Sequence, residues 1–240
     1  MTSHSAERHV WEAKGQEKRQ AVKRMFSEIA GNYDRLNGLL SLNRHRTWRS
    51  IAVASLGLQP GDKALDVCCG TGDFSAELLK AVCSSGLVLG VDFAAPMLEI
   101  ARRKTGSPYA LGDACALALQ SERFDAAAVG WGIRNVPDID LAHREIVRTL
   151  KKGGRFVSLD MALPEKGPIR ILSRFLFRIG SPLLGTLFGS KTAYQYLPES
   201  TERFWSREQL AESMRRAGLK HVSYRNFMFG NICMHWGIKE

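Results

Sequence analysis

The segment Asp66–Asp73, DVCCGTGD, sets a glycine-rich turn between two carboxylates, with two adjacent cysteines leading into it. Ahead of the turn, KALDVCC (63–69) is a short apolar run; behind it, DFSAELLKAV (73–82) has the apolar spacing of an amphipathic helix. A strand that ends in Gly70-Thr71-Gly72 and runs into a helix places its ligand at the carboxyl edge of a parallel sheet. Working outward, LVLGVD (87–92) reads as a second strand and AAPMLEIARRK (94–104) as its helix. PYALGD (108–113) is a shorter strand, FDAAAVGWG (124–132) a fourth, DLAHREIVRTL (140–150) a helix and GGRFVSLDMA (153–162) a fifth strand. That alternation implies parallel pairing, right-handed crossovers and helices on both faces. The chain then ends differently. HVSYRNFMF (221–229) and ICMHWGIK (232–239), split by Gly230-Asn231, predict an antiparallel hairpin with a two-residue turn.

A chain of 240 residues, 45% of them apolar, can bury one substantial core. One domain is expected in four parts. These are a helical cap over 1–60, a ligand-binding core over 61–164, a lid or substrate insertion over 165–205, and a last helix with the hairpin over 206–240. The N-terminal stretch is polar and charged, unlike a signal peptide. No apolar run approaches the ~18 residues that cross a bilayer, so a cytoplasmic protein is expected. Five cysteines without a CxxC pair read as small buried thiols, and no metal site is expected. The net charge of +10 is uneven: +5 over residues 1–60, −1 over 61–164 and +6 over 165–225. Such basic flanks suit nucleic acid, an anionic membrane surface or simple solubility.

Two segments fall outside the strand–helix rhythm. In residues 21–50, Val22, Phe26, Ile29 and Tyr33 share one helical face. In Gly167–Gly189, Arg170, Arg174 and Arg178 stand four apart and form a stripe among Ile171, Phe175, Leu176 and Ile179, before Ser181-Pro182 kinks the helix.

The charges around the turn select its ligand. Asp92 stands twenty residues past Gly72 at the end of the second strand, where a carboxylate can accept both hydroxyls of a ribose. A dinucleotide would lay its pyrophosphate on the helix start, but Ser75 replaces the third glycine and Asp66 and Asp73 crowd that place. Like charges ~4 Å apart repel by about 4 kcal/mol at an effective dielectric of ~20. The same pair suits S-adenosyl-L-methionine, which carries an ammonium, a sulfonium and an adenosine but no phosphate. The competing reading makes Asp73 a helix cap and Asp66 a solvated strand residue. Asp113-Ala114 follows the third strand, where Asp113 can accept from an adenine amino group or be an ordinary loop residue. GWGIRNVPD (130–138) sets Gly130, Arg134 and Asn135 at the same edge, with Gly130 beside the methionine part of the ligand.

FSEIAGNYDRLN (26–37), LSLNRHRTWR (40–49), LDVCCGTGD, GWGIRNVPD, LKKGGRF (150–156), SKTAYQYLPES (190–200) and the terminal HWGIK resemble the demethylmenaquinone and 2-polyprenyl-benzoquinol C-methyltransferase family over nearly the whole chain. The resemblance implies a seven-stranded, Rossmann-like class I methyltransferase fold with a C-terminal antiparallel hairpin. It also implies S-adenosyl-L-methionine as donor and a prenylated quinol as acceptor, with demethylmenaquinol favoured. Family cofactor positions fall on Thr71, Asp92, Asp113, Ala114 and Gly130, and Asp66, Gly70, Gly72 and Phe93 complete the expected cofactor set. The fifth strand departs from the family in carrying Asp160 where a glutamate is usual.

Such a reaction needs an electron-rich ring carbon, which the quinol supplies and the quinone does not. A free phenol titrates near ~10, so the site must supply a base or lower that value. Arg134 can stabilise a phenolate, Tyr33 with Asp34 beside it can position or relay a proton, and Asn135 lies next to them; His45 is a further candidate. The off-rhythm segments are expected to form the acceptor chamber and to touch a membrane surface, and a homodimer is expected. Nucleic acid is not, because GWGIRN replaces the Asn-Pro-Pro-Tyr or Pro-Cys that such enzymes carry. Two other readings stay open: a methyltransferase for a different small phenol, and a non-catalytic cofactor-binding scaffold.

Overall fold

The computed structural model describes residues 15–164 and 191–240, with Val10, Ala13, Gly167, Pro168, Arg170 and Ile171. The sheet contains β1 (Lys63–Val67), β2 (Leu87–Asp92), β3 (Tyr109–Leu111), β4 (Phe124–Gly130), β5 (Leu150–Met161), β6 (Leu219–Phe227) and β7 (Ile232–Lys239). Their order is β3-β2-β1-β4-β5-β7-β6, parallel through β5, with β7 antiparallel to both β5 and β6. The helices are α1 (Gly15–Ile29), α2 (Tyr33–Leu40), α3 (Arg44–Ser55), α4 (Asp73–Val82), α5 (Ala95–Thr105), α6 (Ile139–Thr149), α7 (Lys191–Glu202) and α8 (Arg207–Arg216). The expected Rossmann-like sheet with its antiparallel end is therefore present. Most of the arginine-striped segment lies outside the described residues.

Strand alternation divides the core into two faces. Leu65, Val67, Ala127, Val129 and Phe156 pack with Ile146 of α6 and Leu210 and Met214 of α8. Ala64, Ala126, Ala128, Val157 and Leu159 pack with Val53 of α3 and Leu78 of α4. Alanines on β4 let helices approach both faces closely. Truncating fully buried Leu78 to alanine would cost about 2–5 kcal/mol. Helix starts follow their caps: Asp138 accepts from the Leu141 amide at 2.9 Å, and Ser206 with Gln209 forms a capping box for α8.

Three details differ from the sequence reading. Strands β1 and β4 stop at Val67 and Gly130, short of Cys69 and Gly132, because Cys68 (φ 55°) and Trp131 (φ 54°) turn into left-handed backbone. The hairpin closes at the Phe227–Ile232 pair over four residues rather than two, with Met228 and Phe229 themselves left-handed. Cys83 is exposed, so the cysteines are not uniformly buried.

Candidate active site

The order of strands reverses between β1 and β4, and the crevice opens where Cys68 and Trp131 turn away from the sheet. Left-handed non-glycine residues each cost on the order of 1–3 kcal/mol and concentrate at functional sites. Here they bring two loops together: a Cβ on Gly132 would lie 2.3 Å from the Cys68 Cβ, so only glycine fits. On the other side of the turn, Gly72 starts α4 with φ +80°, and a Cβ there would meet the Tyr109 hydroxyl at 2.7 Å.

Three cavities meet at this crevice. The first runs along the strand ends past Gly70, Asp92, Phe93, Asp113, Ala114 and Gly130. The Asp92 carboxylate accepts from the amides of Gly70 and Ala94, both at 2.9 Å, which ties the glycine turn to β2. Burial nevertheless raises its pKa. Asp113 accepts from the Cys115 amide at 3.0 Å and pairs with Arg19 of α1 at 2.9 Å. Gly130 has a role in packing too, because a Cβ would run into the Phe74 ring at 2.4 Å.

The second, smaller cavity lies under the turn and is lined by both carboxylates of DVCCGTGD and by Arg49, which also borders the third cavity. The structure divides this pair. Asp73 is committed to protein cations, with Arg49 at 3.0 Å and Lys104 at 2.6 Å. Burial works against its charge, but Arg49 and Lys104 outweigh burial and hold its pKa below the usual carboxylate range. Lys104 also reaches Asp34 at 2.7 Å, and Thr71 donates to Asp34 at 2.5 Å, so this network pins α2 onto the turn. Asp66 is different. Burial pushes its carboxyl up to about 7 against a 2.6 Å hydrogen bond from Ser75, and its Oδ1 is buried without a partner. The Arg49 Nε is likewise buried and unpartnered, and its guanidinium lies over the rings of Phe74 and Trp131. An acidic and a basic group, each with one unmet hydrogen bond, thus face one cavity. That arrangement fits the ammonium and carboxylate of an amino-acid ligand.

The third cavity, about 130 Å³, is largely apolar, with Met25, Ile29, Trp48, Met161, Leu197 and Ile232 on its walls. Tyr33 and Trp131 border all three cavities. Burial raises the Tyr33 pKa, so its hydroxyl keeps its proton. Arg134, 9% exposed, pairs with Asp160 at 2.5 Å and donates to the Trp131 carbonyl at 2.9 Å, while its Nε is unpartnered. Burial disfavours that guanidinium, but Asp160, Tyr196 and Tyr33 more than offset it and its pKa ends up raised. Asn135 donates to the Trp131 carbonyl at 3.0 Å and accepts from the Tyr196 hydroxyl at 2.8 Å. His45 lies on the same wall, and burial with Arg49 nearby lowers its pKa. Ser41 donates to the Asn37 carbonyl at 2.6 Å, so the 2.5 Å contact with His45 is made by the His45 Nδ1–H, leaving Nε2 basic.

The sequence of this site has clear relatives. Residues 13–239 match the ubiE/COQ5 methyltransferase family. The chain belongs to that family. It is 38% identical to the demethylmenaquinone methyltransferase of Staphylococcus saprophyticus over 92% of this chain and 97% of that one. It is 39% identical to the Staphylococcus aureus enzyme of the same name, over 92% and 94%. Among solved structures, a SAM-dependent methyltransferase from Thermotoga maritima superposes with a TM-score of 0.66 at 22% identity, covering 91% of this chain and all of that one. Phosphoethanolamine N-methyltransferase 2 of Haemonchus contortus, solved with S-adenosyl-L-methionine, gives 0.61 at 15% identity over 80% and 52%. The two structures share the fold.

Every sequence-predicted site residue except Gly72, which shapes the turn itself, and Asp34, which braces it, lines one of these cavities. Arg49, Tyr196 and Lys104 were not singled out. They stand in LSLNRHRTWR, SKTAYQYLPES and AAPMLEIARRK, and nothing local marks which residue of each segment turns inward.

Proposed function

We propose that this methyltransferase transfers the methyl group of S-adenosyl-L-methionine to a ring carbon of a prenylated quinol, converting demethylmenaquinol to menaquinol. The single observation that carries the reading is the junction at Tyr33. There a cleft that carries Asp92 and Asp113, suited to an adenosine-bearing amino acid, opens into a largely apolar cavity bordered by two guanidinium groups, Arg49 and the Asp160-paired Arg134. Relatives named for the demethylmenaquinone reaction, each matched over more than nine-tenths of its length, support the substrate class.

S-adenosyl-L-methionine supplies a methyl group on a sulfonium. In this reading Asp92 takes the ribose hydroxyls and Asp113 with Ala114 borders the adenine. Gly130 and Phe93 line the way between them, and Asp66 and Arg49 hold the two charged ends of the amino acid. On the acceptor side the quinol ring carbon forms the new C–C bond as the S–CH3 bond breaks, and the ring loses its proton to restore aromaticity. Arg134 stabilises the phenolate that makes the carbon nucleophilic, because a guanidinium stays charged beside a developing anion. Tyr33 donates a hydrogen bond to the ring oxygen rather than abstracting a proton, in keeping with its raised pKa. Neutral His45 is the group able to accept the proton. Asn135 fixes Tyr196 across the same wall.

Peripheral contact with a membrane and a homodimer complete the reading. No helix among the described residues is long and apolar enough to cross a membrane. Lipids extracted from cells lacking the protein test the substrate: a ring-demethylated naphthoquinone is expected to accumulate. A normal naphthoquinone pool, with a demethylated benzoquinone or no change at all, would overturn the choice of substrate.

A further inference from the structure

Two exposed turns stand beside the acceptor cavity, and the chemistry above uses the outermost residues of neither. Leu40 and Ser41 at the α2–α3 turn and Met228 and Asn231 at the β6–β7 turn line that cavity together, so both turns flank it. One residue further out, Leu42 is 76% exposed and Phe229 81%, the two most exposed large apolar side chains among the described residues. Leu39 and Met228 are exposed as well. Leu42, Met228 and Phe229 all have left-handed backbone (φ 50°, 48° and 56°), which bulky side chains avoid. The fold thus keeps strained backbone at positions whose side chains stay exposed.

Charge follows the same pattern. From Arg35 to Gly61 the chain contains no Asp or Glu, nor does it from Ser213 to Lys239. Arg35, Arg44, Arg46 and Arg225 in these stretches are exposed. A single surface leucine is ordinary. Apolar tips on two turns around one cavity, set in acid-free cationic stretches, match a surface that enters the headgroup layer of an anionic membrane.

We infer that the α2–α3 and β6–β7 turns dock the protein on an anionic bilayer, inserting Leu42 and Phe229 so that the acceptor cavity opens toward lipid. This rests on the prenylated quinol as acceptor: such a substrate resides in the bilayer, and a cavity that opens there spares its tail a passage through water.

The test uses the full chain sedimented with vesicles of phosphatidylcholine alone, or of phosphatidylcholine and phosphatidylglycerol in equal parts. Binding to the mixed vesicles is expected, weakening as salt is raised. The double variant Leu42→Asp/Phe229→Asp should bind roughly tenfold more weakly or worse. Its melting temperature and its turnover of a tail-free quinol should match the parent. Arg44→Gln/Arg46→Gln should lose the preference for phosphatidylglycerol. Equal sedimentation of parent and double variant would overturn the inference. So would a drop in melting temperature, which would place both side chains under protein, or a dimer that the double variant abolishes. Vesicle binding lost in the double variant, in a protein that turns over no quinol, would refute the proposed reaction and leave the docking surface supported.

Discussion

The cofactor cleft and the acceptor cavity share Tyr33 and Trp131, yet they are assembled from different kinds of chain segment. Most of the cleft comes from the ends of successive strands, so Asp92, Asp113 and Gly130 arrive in order as β2, β3 and β4 end. The cavity is gathered from α1, α2, α3, the end of β5, α7 and the β6–β7 turn, from Met25 to Ile232. The cleft is rich in carboxylates whose protonation is set by burial and by protein cations. The cavity is apolar and holds a guanidinium fixed by Asp160. In the proposed reaction one half therefore recognises the donor by hydrogen bonds and the other the acceptor by shape and fixed charge. Substitutions in the two halves should separate kinetically.

The sharpest break is expected at Arg134. Removing it alone would leave Asp160 as an unpaired buried charge, about 3–5 kcal/mol destabilising, so the informative variant is Arg134→Gln with Asp160→Asn. Its kcat should fall about 10²–10³-fold, with donor affinity by calorimetry within about threefold. Equal losses in both would make the pair structural. Next comes His45→Gln, with kcat down about 10²-fold. In the parent, activity should decline as pH falls through a value below the ordinary imidazole range, since His45 must be neutral to accept a proton. The variant should lose that acid limb from its pH–rate profile.

In the cleft, Asp66→Asn should weaken donor binding about tenfold or more while the KM for quinol changes little. The same residue gives the ligand-free protein a pH signature. Its carboxyl titrates at about 7 when folded and near ~3.9 when unfolded. Between those values the folded state holds a proton that the unfolded chain has released, so stability falls as pH rises from about 4 to about 7 and then levels off. The span is a few kcal/mol at most, and Asp66→Asn should flatten it in thermal melts. The smallest effect belongs to Tyr196→Phe, which deletes the 2.8 Å bond to Asn135. A loss of about 1 kcal/mol, or roughly fivefold in kcat/KM, is expected.

How much could be read in advance follows the same division. DVCCGTGD was legible because strand, turn and helix are contiguous, and Asp92 and Asp113 follow at strand ends that hydrophobic patterning marks. Patterning could not show that Asp73 is neutralised within the protein, because Arg49 and Lys104 reach it from α3 and α5. The two carboxylates are alike in sequence; burial without a cation partner raises Asp66, while Arg49 and Lys104 hold Asp73 charged. Tyr196 reaches Asn135 from 61 positions away, with no local signal to mark it. Gly230-Asn231 marks the place of the turn but not its length, since Met228 and Phe229 adopt a backbone that their residue types rarely take.

Where the methyl group lands decides the reaction. With deuteromethyl S-adenosyl-L-methionine and a reduced, short-tailed demethylnaphthoquinol, the full chain should place the label on a ring carbon, as read by tandem mass spectrometry, and leave the oxidised quinone untouched. Label on a phenolic oxygen, or equal transfer to the oxidised quinone, would contradict the proposed chemistry.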